Sequence, residues 1–247
     1  MTRGCLLAAI ALITSSPATA VECEAVAFEQ ARYTICEVDA TRETLRLFLR
    51  DDQGQIIGQF AALDRLLAND GKRLTFAMNA GMYHEDRSPV GHYKEGGQEF
   101  MRVIPNAGPG NFGLLPNGVL CLRPGRADVF ETHDFLSRNP ECLDATQSGP
   151  MLVINGELHP RFLKDGTSTY IRNGVGTSDD GTSAVFAISD QAVNFYSFGR
   201  LFRDYLKVPN ALYLDGNISR LYAPAVGRSD FGFSLGPIIG VVEPLPE

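Results

Sequence analysis

Turn dipeptides cut this chain into short apolar runs, and that punctuation limits it to a fold built largely from hairpins. Pro116-Asn117-Gly118 separates Phe112–Leu115 from Val119–Leu122, and Asn155-Gly156 separates Met151–Ile154 from Glu157–His159. Asp179-Asp180-Gly181 separates a strand ending near Thr177 from Ser183–Ser189. Asn, Asp and Gly tolerate the positive φ of tight hairpin turns, so each site predicts an antiparallel pair. Glu24–Gln30 and Arg32–Asp39 alternate as a hairpin, and Thr44–Arg50 alternates up to a turn at Asp51-Asp52-Gln53-Gly54. Leu74–Met78 and Ala211–Leu214 are apolar strands, and Phe231–Val242 predicts a last strand. Helical spacing occurs at Phe60, Leu63, Leu66 and Leu67, stopped by Asn69-Asp70-Gly71. It recurs at Phe198, Leu201, Phe202, Tyr205 and Leu206, with Ser197 as N-cap and Pro209 as terminator. The predicted class is α+β: a mixed, mostly antiparallel β-sheet with a few packed helices.

Residues 1–20 predict a secretory signal peptide, with Arg3, the apolar stretch Leu6–Ile13, the breaker Pro17 and the cleavage site Ala18-Thr19-Ala20. The stretch is too short to span a bilayer, and no later run approaches ~18 apolar residues, so no transmembrane segment is expected after cleavage. Residues 21–247 are expected to be a single domain, periplasmic or secreted. The net charge is −7; cleavage removes one Arg and no acid, giving −8. An acidic chain without a basic run predicts no nucleic-acid partner. Cys5 leaves with the signal peptide, and Cys23, Cys36, Cys121 and Cys142 allow three pairings. Proximity in sequence favours Cys23–Cys36 and Cys121–Cys142 in an oxidising compartment. No Cys-x-x-Cys occurs, which argues against a zinc or thioredoxin-like redox site.

Glycine-flanked polar segments follow several apolar strands: Asn79-Ala80-Gly81-Met82-Tyr83-His84, Gln147-Ser148-Gly149-Pro150, Arg172-Asn173-Gly174-Val175-Gly176, and Leu214-Asp215-Gly216-Asn217-Ile218-Ser219. Strand ends are rigid and glycine admits close approach to the backbone, a good way to build a polar pocket. With Ser88-Pro89-Val90-Gly91, Asn111-Phe112 and Pro116-Asn117-Gly118, these motifs make the chain resemble the phosphodiester glycosidase family. The likeness, to its short exported bacterial branch, covers roughly residues 25–243 in the expected order. It implies hydrolysis of a glycosyl-phosphodiester bond, releasing a sugar such as N-acetylglucosamine. The implied partner is a sugar phosphodiester or cell-envelope glycan.

The residues suit that chemistry. A sugar 1-phosphodiester carries an anionic leaving group of low basicity, so a protonated carboxylic acid is less necessary than in most glycosidases. The reaction needs a cation at the phosphate, and a carboxylate that faces the oxocarbenium charge or activates water. Arg172 suits the phosphate, Asp215 serves as nucleophile or base, and His84 carries a proton or binds phosphate. Asn79, Gln147 and Ser219 would orient sugar hydroxyls or an acetamido group, with Gly81, Ser148, Gly149, Asn173 and Gly216 completing the substrate site. A second carboxylate is open among Glu85, Asp86 and Asp180. Each residue also has a plainer reading: Asp215-Gly216 as a turn, Arg172 in a surface ion pair, Asn79 bonding its own turn, His84 as structural. No cofactor is predicted. Asp179-Asp180-Gly181 is read as a hairpin turn; a divalent cation there is an alternative without a supporting ligand cluster. Two other classes compete. One is a non-catalytic carbohydrate- or sugar-phosphate-binding protein of the envelope. The other is a phosphodiesterase attacking phosphorus, which should depend on a metal, and His-Glu-x-x-His is absent.

Overall fold

The computed structural model describes residues 21–215 and 218–245, so the expected signal peptide and Gly216 lie outside the described residues. The chain is α+β, dominated by strands, and every pairing between its strands is antiparallel. Among the described residues the strands form three sheets. The first runs in the order Glu22–Phe28, Ala31–Asp39, Ser183–Ser189, Asn173–Thr177, Asn210–Asp215, Met151–Ile154, Glu157–Leu158. The second runs Arg228–Ser229, Leu221–Ala223, Lys72–Asn79, Ile238–Pro244, Thr44–Phe48. The third runs Gln98–Met101, Tyr93–Glu95, Asp144–Ser148, Gly118–Arg123, Arg126–Glu131.

All three sheets contribute to one core. Val175, Phe186 and Leu212 from the first meet Phe76 and Ile239 from the second and Leu120 from the third. The Asn210–Asp215 strand shows the two-residue period at work: Leu212 and Leu214 enter this core, while Ala211 and Tyr213 face the other way. On that other face, Tyr213 packs with Tyr33, Phe198 and Phe202 beneath the helix Phe195–Arg200. The helix Phe60–Asn69 lays Phe60, Leu63 and Leu67 on the second sheet. Both expected disulfides are formed. Cys23 and Cys36 lie directly opposite each other in the N-terminal hairpin, with Cα atoms 4.1 Å apart. Cys121 is tied to Cys142 at a Cα separation of 5.5 Å. Among the described residues no helix is long and apolar enough to cross a membrane.

The turn signals hold at Asn155-Gly156, where φ is 48° and 83°, and at Asp179-Asp180-Gly181. They fail at Pro116-Asn117-Gly118. Phe112–Leu115 forms no strand, and Asn117 is a buried corner whose Nδ2 donates to Phe112 O at 2.9 Å and whose Oδ1 accepts from Thr132 Oγ1 at 2.6 Å. The Gly118–Arg123 strand turns instead at Pro124-Gly125. Gly118 serves packing, since a Cβ there would lie 2.6 Å from Phe130 O. The aromatic helix starts three residues earlier than expected. Asn194, not Ser197, caps it, with Asn194 Oδ1 accepting from Ser197 N at 2.9 Å. Its continuation Leu201–Tyr205 is a π-helix, closed by Leu206 N donating to Leu201 O at 2.9 Å. The last strand is Ile238–Pro244; residues 231–237 are irregular and leave Phe231 and Phe233 exposed. Thr44–Arg50 is likewise strand only to Phe48, beyond which Arg50 bridges Ile56.

Candidate active site

One strand from each sheet ends at the same place. Asn79 closes a strand of the second sheet and Ser148 one of the third, while Asp215 closes a strand of the first sheet opposite the start of its neighbour at Asn173. Side chains lock these ends together. Asn173 Nδ2 donates to Asn79 O at 3.1 Å, and Asn173 Oδ1 accepts from the Asp215 amide at 3.2 Å. The same oxygen lies 3.4 Å from Asn79 Nδ2 and 3.2 Å from Ser219 Oγ. Asn79 Oδ1 accepts from Arg220 N at 2.8 Å, and Ser148 Oγ donates to Leu214 O at 2.6 Å. Asn79, Ser148, Asn173 and Ser219 are therefore brought together around Asp215, whose backbone is fixed on all sides. These contacts hold the Asp215 backbone, which limits where its side chain can reach.

Arg172 is next to this hub, but its side chain takes the opposite face from Asn173, as strand alternation requires. It is fully buried. Nε donates to Val193 O at 2.8 Å, Nη2 to Ser168 O at 2.8 Å and Nη1 to the Tyr213 hydroxyl at 3.1 Å. The guanidinium stacks 3.6 Å from the centroid of Phe195. Burial pulls its pKa below the ordinary value for arginine. Tyr213 precedes Asp215 by two residues on one strand. Burial pushes its phenol well up; Arg172 pulls it down and the Asp215 carboxylate pushes it up again. Arg172 and Asp215 thus share Tyr213 as a neighbour. They do not meet across an open hollow: the three guanidinium nitrogens expected to grip phosphate are turned to protein acceptors.

Gln147 also departs from its expected role. Its Oε1 accepts from His92 N at 3.1 Å and Ile104 N at 2.9 Å, and its Nε2 donates to Ile104 O at 2.8 Å and Thr132 Oγ1 at 3.1 Å. Every hydrogen-bonding position of the amide is used inside the protein, on the side of the strand away from Ser148. Gly81 gives room to this strand and not to a ligand: a Cβ there would sit 2.7 Å from Gln147 O and closer still to Thr146 Oγ1. Gly149 packs likewise, 2.6 Å from Asn117 Cβ. His84 is exposed at the start of a tight turn in which its amide donates to Ser88 O at 2.8 Å. Of the open second carboxylates, Asp86 caps that turn, accepting from Ser88 N and Oγ, which hold its pKa down. Asp180 accepts from Thr182 N, Ser178 Oγ and Thr182 Oγ1, which hold it at about 2. It sits past Thr177, at the far end of the strand that begins at Asn173, and so is remote from Asp215.

Four residues near the hub were not singled out from sequence: Tyr83, Arg87, Tyr213 and Arg220. The two-residue spacing to Asp215 could have found Tyr213. Arg220 is buried, with Nη1 donating to Gln59 Oε1 at 3.2 Å and Nη2 to Phe233 O, partners too remote in sequence to foresee. Tyr83 lies flat on Gly236, where a Cβ would approach its Cδ1 to 2.5 Å. Among the described residues no group of three or more His, Cys, Asp or Glu is placed to hold a metal ion. A cavity of about 740 Å³ lined by Arg123, Arg126, Ser178 and Asn210 lies at the opposite ends of the same strands, away from Asp215.

The sequence profile of the family described as phosphodiester glycosidase matches residues 72–232, a span that contains the whole hub. "Uncharacterized protein YigE" of Escherichia coli K12 is 34% identical over 212 residues, covering 85% of this chain and 82% of that protein. Among solved structures, the catalytic domain of zebrafish N-acetylglucosamine-1-phosphodiester alpha-N-acetylglucosaminidase, auto-inhibited by its pro-peptide, is similar with a TM-score of 0.63. That match has 13% identity and covers 92% of this chain and 84% of that one. A putative exported protein from Burkholderia pseudomallei is similar with a TM-score of 0.53 and 10% identity, covering 85% of this chain and 74% of that one. At such identities the structural likeness shows a common fold. On the profile match and the relative in Escherichia coli, the chain belongs to the phosphodiester glycosidase family.

Proposed function

We propose that this protein is an exported hydrolase that cleaves the bond between an anomeric carbon and its phosphate oxygen, with Asp215 as nucleophile or general base. Water supplies the oxygen that ends on the sugar, and the electrons of the broken C–O bond leave with the phosphomonoester. The substrate is a sugar phosphodiester of the cell envelope, and the released sugar is one such as N-acetylglucosamine. The observation that carries this reading is the Asn173 side chain holding the Asp215 amide at 3.2 Å while it binds the Asn79 carbonyl at 3.1 Å. A carboxylate is thereby aimed from the rigid meeting point of three sheets, inside the span that matches the family. Asn79, Asn173 and Ser219 fix that aim, Ser148 anchors the neighbouring Leu214 carbonyl, and His84 stands exposed where a proton can exchange with solvent. Arg172 acts through Tyr213, setting the position of a phenol whose energetics the Asp215 charge also governs. The two disulfides support an oxidising compartment.

The test is sugar release from a panel of sugar 1-phosphodiesters by residues 21–247. Asp215→Asn is expected to lower kcat by roughly 10³-fold while KM changes little, as for a group needed in the transition state. Wild-type turnover by Asp215→Asn would overturn the assignment. Binding of the panel without turnover by the native protein would favour the binding-protein reading.

A further inference from the structure

Two buried donors beside the hub have no acceptor among the described residues. The Tyr83 hydroxyl and Arg87 Nε are both screened from solvent, and neither donates to any acceptor among the described residues. Buried donors of this kind are uncommon and costly, and one standing explanation is that a ligand supplies the missing acceptor.

The two are built as a pair. Residues 84–88 form a tight turn in which Arg87 N donates to His84 O at 2.9 Å and Asp86 Oδ1 accepts from Ser88 N at 2.9 Å. Arg87 occupies the left-handed region with φ of 71°, an unusual conformation for a long side chain. Its guanidinium folds back over the Tyr83 ring, with Cζ 5.5 Å from the centroid, and Nη1 is pinned to Glu85 O at 2.6 Å. Tyr83 is equally constrained, flat against Gly236 and bridged through its backbone to Pro89. The phenol also feels the hub. Burial first, and then the Asp215 charge, push it up to about 12, while Arg87 and Arg220 pull the other way and the Gly236 amide approaches its oxygen. It therefore keeps its proton, and remains a donor, throughout the ordinary working range of pH.

We infer that Tyr83 Oη and Arg87 Nε form the seat for the anionic oxygens of the substrate's phosphoryl group. A guanidinium Nε–H and a neutral hydroxyl, both donors without an acceptor among the described residues, suit a phosphodiester oxygen better than a neutral sugar hydroxyl, which would need an acceptor in return. The polarity of the site then orients the substrate. Asp215 repels an anion, so the phosphoryl group lies toward Arg87 and the sugar toward Asp215. This inference rests on the proposed hydrolysis for its meaning, although the seat itself is testable without turnover.

Tyr83→Phe removes a buried hydroxyl that donates to no acceptor among the described residues, so its melting temperature should equal or exceed that of wild type. Calorimetric titration with inorganic phosphate should show roughly 10-fold weaker binding in Tyr83→Phe and in Arg87→Gln, with binding of free N-acetylglucosamine unchanged. The kcat/KM for a sugar 1-phosphodiester should fall by roughly 10- to 100-fold in each. Unaltered phosphate affinity in both variants, or no phosphate binding by the native protein, overturns the seat. Active wild type with unaltered phosphate binding in the variants would sink the seat and leave the hydrolase standing. Inactive wild type whose phosphate binding is lost in the variants would sink the hydrolase and support the seat.

Discussion

Arg172 donates from Nη1 to the Tyr213 hydroxyl at 3.1 Å, while Nε and Nη2 are spent on the carbonyls of Val193 and Ser168. The guanidinium is thus a buried strut between the loop before one central strand and the face of the next. Truncation should act first on the fold. Arg172→Ala leaves the buried Val193 carbonyl and the Tyr213 phenol without their donor, each worth about 1–3 kcal/mol, and also releases the part-buried Ser168 carbonyl, so a loss of several kcal/mol is expected in urea unfolding. Tyr213→Phe strands one donor and should cost about 1–3 kcal/mol. An Arg172→Ala variant as stable as wild type that loses only phosphate affinity would restore the direct clamp expected from sequence.

Gly81 and Gln147 make a second mechanical pair. A methyl group at residue 81 would be forced to within 2.7 Å of the Gln147 carbonyl, which is backbone and cannot swing aside. Gly81→Ala is expected to destabilise by about 1–3 kcal/mol through overpacking. Gln147→Leu should cost at least as much, because His92 N and Ile104 N both lose their acceptor. Thermal melts check both. A neutral Gly81→Ala with impaired substrate binding would return Gly81 to the ligand.

Glu43 carries a dependence on pH that is separate from catalysis. Burial, joined by the charges of Glu243 and Asp39, lifts its carboxyl from 4.5 to about 7, against the Asp39 amide that donates to Oε2 at 2.8 Å. Its other oxygen is buried without a partner among the described residues. The folded state holds this proton more tightly than the unfolded chain. The associated stability is therefore fully present below about pH 4.5 and is lost as the pH rises through about 7. Glu43→Gln should raise the melting temperature relative to wild type at pH 8, and by less at pH 4. An equal difference at both values would contradict the assignment.

Local chemistry made much of this legible. Asn155-Gly156 and Gly181 require positive φ whatever surrounds them, the Cys23–Cys36 and Cys121–Cys142 pairs are close along the chain, and the apolar runs ending at Asn79 and Asp215 delivered those residues to one place. Several of the failures were settled by partners far away in sequence. Asn117 has the composition of a turn and was claimed by Thr132; Gln147 was claimed by His92 and Ile104. Arg172 and Asn173 are adjacent, yet one meets Tyr213 and the other Asn79, because successive strand residues face opposite ways. Arg87 gave no sign at all, since a left-handed φ is not one that sequence advertises for arginine.

If Asp215 works at the sugar, this protein breaks the carbon–oxygen bond of a glycosyl phosphodiester. Hydrolysis of an N-acetylglucosamine 1-phosphodiester in ¹⁸O-labelled water, read by mass spectrometry of both products, tests it most directly. The label is expected on the anomeric hydroxyl of the released sugar and not in the phosphomonoester. Label in the phosphate would place the attack at phosphorus and contradict it.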